Sequence, residues 1–164
     1  MFPRIVQFSL WLYTKDGTCK EIKDYIIKPD GWTMNGSYRY HGITQERANT
    51  EGIDIRHVLA DYKNGVGNNC CKLVCHNVDL DKRVVKSEFI RAEFEFADVE
   101  TYYNVKKGIV YCKLLPNVRG EYKWPSLEQL YSKCFNVQLE NSHNRYYDVL
   151  NCAKCYFELQ GQTG

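Results

Sequence analysis

The stretch that decides the fold is KLVCHNVDLD, at residues 72–81. Residues Lys72 to Cys75 predict a short apolar strand, and a helix is predicted from about Asp81. Open α/β sheets place their sites at the carboxyl ends of buried strands, which here means His76 and Asn77. A helix cap needs one polar residue, whereas residues 76–81 contain four. We interpret the stretch as a candidate functional site, with a simple cap as the alternative.

Upstream of this stretch, the sequence predicts a hairpin and two helices. Residues Pro3 to Tyr13 alternate apolar side chains with a period of two, and Cys19 to Lys28 is a second strand candidate. Turn residues at positions 15–17 join them into an antiparallel hairpin. Thr44 and Asp54 are placed to cap the two helices.

Downstream elements complete an α/β pattern. The glycine-rich residues 65–69 predict a loop, and residues 108–115 a strand. Pro125 is placed as a first-turn proline of the next helix, and the last helix is predicted to begin near Asn144. A strand pair followed by alternating helices and strands predicts a mixed sheet in one domain at residues 1–160, with residues 161–164 as a tail.

Composition limits the class of protein. The 164 residues carry 22 Lys plus Arg against 20 Asp plus Glu, a balance that excludes a histone-like electrostatic binder. Hydrophobic residues make up 44%, which excludes a disordered chain. No apolar run approaches the roughly 18 residues of a membrane span, and the first four residues do not resemble a secretory signal. We expect a soluble, intracellular protein, cytoplasmic or nuclear, without a membrane partner.

Eight cysteines raise the question of a zinc site. Cys70, Cys71 and Cys75 lie close together in sequence, and Cys152 and Cys155 form a CxxC pair. Zinc sites are typically built from two tight ligand pairs on turns, whereas this CxxC pair falls within a predicted helix. We expect reduced, mostly buried thiols that act as small apolar side chains.

A second polar cluster is HNRYYD, at residues 143–148. On one regular helix His143 and Asp148 would point about 140° apart. Both can face one site only if His143 lies on the loop before the helix and Asp148 on its first turns. A helix cap is again the alternative.

Five segments in this order resemble the DEDDh exonuclease family. The resemblance runs from about Phe2 to Leu159 and therefore covers nearly the whole chain. The segments are PRIVQ at 3–7, HGIT at 41–44, HNVDLD at 76–81, KWPSL at 123–127 with Leu130 and Tyr131, and HNRYYD at 143–148.

The resemblance implies an RNase H-like fold, a mixed sheet flanked by helices. It also implies removal of nucleotides from the 3′ end of DNA or RNA, with two Mg²⁺ or Mn²⁺ ions. It makes Asp148 a direct metal ligand, Asp81 a second metal-site carboxylate and His143 the general base. The residues that it places near the terminal nucleotide are His41, His76, Asn77 and Leu80.

The sequence departs from the family in two places. The family's Asp-x-Glu motif lies on an opening strand, and this sequence starts directly on the segment that follows that strand. We therefore expect the opening strand to be absent, together with two of the four carboxylates. Arg145 stands where the family usually has a small residue; it could crowd the helix start or reach a substrate phosphate. The one Asp-x-Glu here, residues 98–100, predicts an acidic loop.

Three interpretations of the missing motif stay open. The chain belongs to a longer exonuclease, or it is a short form that binds nucleic acid or a protein without cutting, or another chain supplies the strand in a homo-oligomer or a complex. Asp79 and Glu100 are the residues that could partly replace the missing carboxylates.

Overall fold

The computed structural model describes residues 2–34, 36, 38–69, 72–99, 101–105, 112–114, 116, 118–139 and 145–162. In chain order they form β1 (Gln7–Tyr13), β2 (Cys19–Ile26), α1 (Tyr38–His41), α2 (Gln45–Glu51), α3 (Ile55–Asn69), β3 (Leu73–Cys75), α4 (Val78–Arg91), β4 (Tyr102–Asn104), α5 (Leu127–Phe135) and α6 (Arg145–Gln162). The predicted α/β class is confirmed. Within these residues, no helix has both the length and the apolar character needed to cross a membrane.

The chain divides into two compact units. The first contains Met1–Leu73 and Asp79–Thr101, and the second contains Val74–Val78 and Tyr102–Gly164. Strands β1 and β2 pair in one two-stranded sheet, and β3 pairs with β4 in another.

The first sheet is the predicted hairpin. β1 and β2 pair antiparallel from Gln7 opposite Ile26 onward, and a register shift after Leu12 brings Tyr13 opposite Cys19. The turn requires a positive φ of 90° at Gly17, which glycine adopts without steric cost. Alternation of apolar residues and the turn residues were therefore sufficient signals for this element.

The core of the first unit is built by β1, α3 and α4. Val58, Leu59 and Phe89 are completely buried in it. The ring of Tyr62 meets the rings of Phe8 and Phe89 edge-on, with centroids 6.2 and 5.8 Å away. Edge-to-face pairs of this kind add to the stabilisation that burial of the rings provides.

The prediction of a loop at residues 65–69 is wrong, because α3 continues through Asn69. Val66 is buried in the core, and Gly65 lies against Leu10, whose Cδ2 is 3.6 Å from where a Cβ would be. Burying a valine contributes roughly 1.5–3 kcal/mol, which offsets the roughly 1 kcal/mol that each helical glycine costs. Tertiary packing therefore extends the helix through a locally unfavourable sequence.

The second unit is organised by α5 and α6, which pack against each other. Val105, Leu130 and Cys155 are completely buried in its core. α6 continues through Gln162, two residues beyond the predicted end of the domain. The predicted strand at 108–115 lies largely outside the described residues.

Helix α5 begins at Leu127, two residues after Pro125, which the sequence placed in its first turn. Ser126 is its N-cap, and a reciprocal hydrogen bond with Gln129 completes a capping box. Pro125 therefore precedes the cap and does not lie in the first turn. The helix ends at Asn136, which adopts a left-handed conformation with φ 54°.

Candidate functional site

The strand-to-helix junction after β3 carries the first group of candidate residues. β3 ends at Cys75, and α4 begins at Val78, three residues earlier than predicted. Asp79 and Asp81 therefore lie in the first turn of α4 and do not precede it. Carboxylates are favourable there because the helix N-terminus carries a partial positive charge.

The two acidic residues in the first turn of α4 project in different directions. At about 100° per residue, Asp81 lies about 60° from the buried Val78 and about 40° from the buried Val85. Asp81 itself is exposed, so it projects into solvent at the edge of the core-facing side, at the N-terminal end of the helix. Asp79 lies about 160° away from Asp81 around the helix. If Asp79 replaced a missing metal ligand, its carboxylate would therefore have to reach the metal from the side of the helix opposite to Asp81.

The second candidate carboxylate, Asp148, also lies in the first turn of a helix. α6 begins at Arg145, so Asp148 falls in its first turn, as the sequence predicted. Asp148 is half-buried. Around the axis of α6 it lies within about 40° of the buried Cys152 and Cys155. It thus projects from the core-facing side of α6. His143 lies outside the described residues.

The two described histidines of the candidate site have defined hydrogen bonds. The Nε2 atom of His76 lies 3.1 Å from the carbonyl oxygen of Pro125, so this nitrogen carries the donated proton. The Nδ1 atom of His41 accepts a hydrogen bond of 3.1 Å from the Ile43 N–H. The neutral His41 ring consequently carries its proton on Nε2. Asn77, next to His76, is half-buried.

A cavity of about 360 Å³ adjoins the segment that contains His41. Its lining includes Ile43 from the predicted HGIT motif, together with Met34, Tyr38 and Gln45, which sequence reasoning missed. The Met34 N–H donates a 2.8 Å hydrogen bond to the side-chain oxygen of Gln45 and so closes one wall. The available signal was YRYH at 38–41, where exposed aromatic rings alternate with basic residues.

The Asp-x-Glu at residues 98–100 begins in irregular structure, not on a strand. The Nζ of Lys82 lies 2.7 Å from the Asp98 carboxylate. Burial acts to raise the pKa of Asp98, but the Lys82 ammonium and the Val99 N–H outweigh it, and the pKa is lowered. Asp98 is thus committed to an ion pair, which agrees with the predicted acidic loop. Glu100 lies outside the described residues.

The donor types fit a hard cation better than zinc. Asp81 and Asp148 supply the carboxylate oxygens that Mg²⁺ and Mn²⁺ prefer. Among the described residues, no group of three or more His, Cys, Asp or Glu side chains is arranged to hold a metal ion. The two carboxylates belong to different compact units, and their convergence stays a prediction.

Sequence comparisons do not assign a family. No protein-family model matches the chain, and no curated protein sequence matches it.

Solved structures match its fold. E. coli exonuclease I in complex with a dT13 oligonucleotide has a TM-score of 0.74 and 20% identity, covering 95% of this chain and 37% of that one. The zinc-ion-bound form of the E. coli exonuclease I–ssDNA complex has a TM-score of 0.76 and 18% identity, covering 97% and 37%. A product-bound structure of exonuclease I has a TM-score of 0.72 and 18% identity, covering 95% and 39%.

The chain thus has the RNase H-like α/β fold of exonuclease I. It spans less than two fifths of the length of the exonuclease I chains that it matches. At this level of identity the likeness concerns the fold alone.

Proposed function

We propose that this chain is a DEDDh-type 3′–5′ exonuclease domain that acts on nucleic acid. The proposal rests on the shared fold together with the five sequence segments in family order. The observation that carries it is the placement of Asp81 and Asp148. Each lies in the first turn of a helix, Asp148 half-buried on the core-facing side of α6 and Asp81 exposed at the edge of the core-facing side of α4.

The roles follow from the chemistry of the side chains. Asp81 and Asp148 would hold Mg²⁺ or Mn²⁺, since these hard cations bind carboxylate oxygens. Such ions, when bound, stabilise the attacking and leaving oxygens of the phosphodiester. His143 would take the proton from the attacking water, because a neutral imidazole is available near pH 7.

The 3′-terminal nucleotide is the proposed substrate element. Leu80 is 50% exposed in the first turn of α4, so its side chain is available to pack on a sugar or base. His41, His76 and Asn77 supply donors for phosphate and sugar oxygens. The single-stranded DNA in the two exonuclease I complexes is consistent with a substrate of this class.

The 164-residue polypeptide on its own is expected to be a weak nuclease. Two divalent cations carry four positive charges, whereas Asp81 and Asp148 supply two negative ones. Asp98 is the first residue of the one Asp-x-Glu in the sequence, and its carboxylate is paired with Lys82 instead of being placed to hold a metal ion. This pairing favours the second candidate function, a domain that binds nucleic acid without cutting it. In that form, phosphate and stacking contacts would persist without metal ions.

The test is degradation of a 3′-labelled single strand in Mn²⁺. It compares the 164-residue chain with a form extended by an opening strand that carries Asp-x-Glu. We expect strong cleavage from the extended form, and a loss of roughly 10³-fold on Asp81→Asn or Asp148→Ala. Asp79→Asn is the matched control, since it removes a neighbouring carboxylate from another side of the same helix turn. It should leave the rate within a few-fold.

The outcomes separate the two candidate functions. An extended form that binds the strand but does not cut it supports the binding domain and contradicts the exonuclease. Equal losses from Asp79→Asn and Asp81→Asn would contradict the site assignment, whatever the activity.

A further inference from the structure

The core of the second unit contains a cluster of thiols. Cys112, Cys152 and Cys155 are buried in it, and Cys134 packs against them from α5. The remaining described cysteines are Cys19, which is exposed on β2, and Cys75. None of these described cysteines is in a disulfide.

Two of these thiols are neighbours where α5 packs against α6. The side chains of Cys134 on α5 and Cys155 on α6 belong to the same packed cluster, within hydrogen-bonding reach of each other. Cys155 is completely buried, whereas Cys134 is partly exposed. The pair therefore joins one thiol that a small solute can reach to one that it cannot.

We propose that Cys134 and Cys155 form a reversible redox pair that links α5 to α6 as a disulfide when a peroxide is present. The Cys134 thiol is oxidised first by hydrogen peroxide, which gives a sulfenic acid and one water. The Cys155 sulfur then attacks the Cys134 sulfur, the S–O bond breaks, and the hydroxyl leaves as a second water with the remaining thiol proton. The two sulfurs each lose one electron, and the peroxide bond gains both.

The geometry favours this pair over the CxxC pair. A disulfide needs Cβ atoms about 3.5–4.5 Å apart with suitably directed bonds. Cys152 and Cys155 are three residues apart within α6, where Cβ atoms are about 5–6 Å apart on a rigid backbone. Cys134 and Cys155 lie on two different helices, which can adjust by small shifts.

Burial sets the rate of this chemistry. It raises the pKa of Cys134 and, more strongly, that of Cys155, so little thiolate is present near neutral pH. The pair is therefore expected to react more slowly than the exposed Cys19. Cys19, in turn, is expected to give only mixed or intermolecular products.

The link would close a covalent ring around residues 135–154, which run from the end of α5 into the first half of α6. This stretch includes the position of His143 and that of Asp148, so oxidation would restrain the part of α6 that carries a candidate metal ligand. That consequence depends on the proposed function, whereas the disulfide itself does not.

The experiment treats the full chain with hydrogen peroxide at low protein concentration and then blocks the remaining thiols by alkylation. Protease digestion without reductant, followed by mass spectrometry, is expected to show a peptide that joins Cys134 to Cys155. Reduction with dithiothreitol should remove it. Cys134→Ser and Cys155→Ala should each abolish it, and the control Cys19→Ser should leave its yield unchanged. Since Cys134 is partly exposed, Cys134→Ser serves if Cys155→Ala does not fold.

The proposal is overturned if Cys134 and Cys155 are both recovered alkylated after Cys19 has been fully oxidised. A linked peptide that joins Cys152 to Cys155, or Cys112 to Cys134, would also overturn it. So would a Cys134–Cys155 peptide found only in covalent dimers.

Discussion

Replacing Glu88 by alanine should destabilise the first unit far more than an ordinary surface mutation. Glu88 lies on α4 and is only 2% exposed. Its carboxylate accepts hydrogen bonds from the guanidinium of Arg4 at 3.2 Å and the backbone N–H of Ile5 at 3.1 Å. Arg91 donates a third at 3.0 Å. One buried charge therefore holds the start of the chain against α4.

The size of the effect can be estimated from the groups that lose a partner. The buried N–H of Ile5 would lose its acceptor, at about 1–3 kcal/mol. Arg91, with a side chain 16% exposed, would keep its charge without the adjacent carboxylate. Arg4 is 38% exposed and can be solvated, so its contribution is discounted. We expect a loss of about 3 kcal/mol in the free energy of unfolding, a Tm lower by roughly 6–12 °C.

The assay is urea unfolding followed by circular dichroism, together with hydrogen exchange of the backbone amides of residues 2, 4 and 5. The matched control is Glu51→Ala, which removes an exposed glutamate paired with Arg47 and should cost less than about 0.5 kcal/mol. In Glu88→Ala, the Ile5 amide should exchange faster. Losses within about 0.5 kcal/mol of each other for the two variants would refute the reasoning.

Three further changes test local features of the fold. A methyl at Gly52 would lie 2.2–2.8 Å from three backbone atoms, so Gly52→Ala should cost about 1–3 kcal/mol in urea unfolding, whereas Gly67→Ala in open space should be neutral or stabilising. Ser126→Ala removes the N-cap of α5 and should cost about 0.5–2 kcal/mol by the same measurement; no loss would contradict the capping box. Hydrogen bonds, chiefly from the Thr14 hydroxyl and also from Thr18, lower the pKa of Asp16 from 3.8 to about 2, so their stabilising effect is present above about pH 4 and is lost as the pH falls towards 2. A carboxyl NMR titration should show that Thr14→Val raises this pKa, and an unchanged value would contradict the assigned cause.

Local sequence signals were sufficient where one local interaction decides the structure. The hairpin follows from apolar alternation and its turn, and α2 follows from the side chain of Thr44, which accepts a hydrogen bond from the Arg47 N–H. They failed where packing decides. The glycines of α3 suggest a loop, but Val66 is buried and the helix continues. β4 has only three residues, and its pairing with β3 is a non-local interaction without a local pattern.

The candidate site likewise has features that the sequence could predict and features that it could not. The positions of Asp81 and Asp148 near helix starts could be predicted, because acidic residues favour the first turn and apolar spacing sets the helix phase. The cavity near Met34 and Tyr38 depends on how separate segments fold over one another, so the sequence pattern did not reveal it. Whether the two carboxylates meet is likewise a property of tertiary arrangement.

The phase of α4 ties the direction of one carboxylate to the stability of the first unit. Val85 and Phe89 must remain in the core, so they fix the rotation of the helix about its axis. A single residue inserted between Asp81 and Val85 would leave that rotation unchanged and turn Asp81 by about 100°. Insertions in this segment should therefore abolish any function of Asp81, and they would also turn the buried Val78 by the same angle, at a cost in stability. Conversely, any chain that keeps this core and this spacing keeps the carboxylate pointing the same way, whether or not a metal ion binds to it.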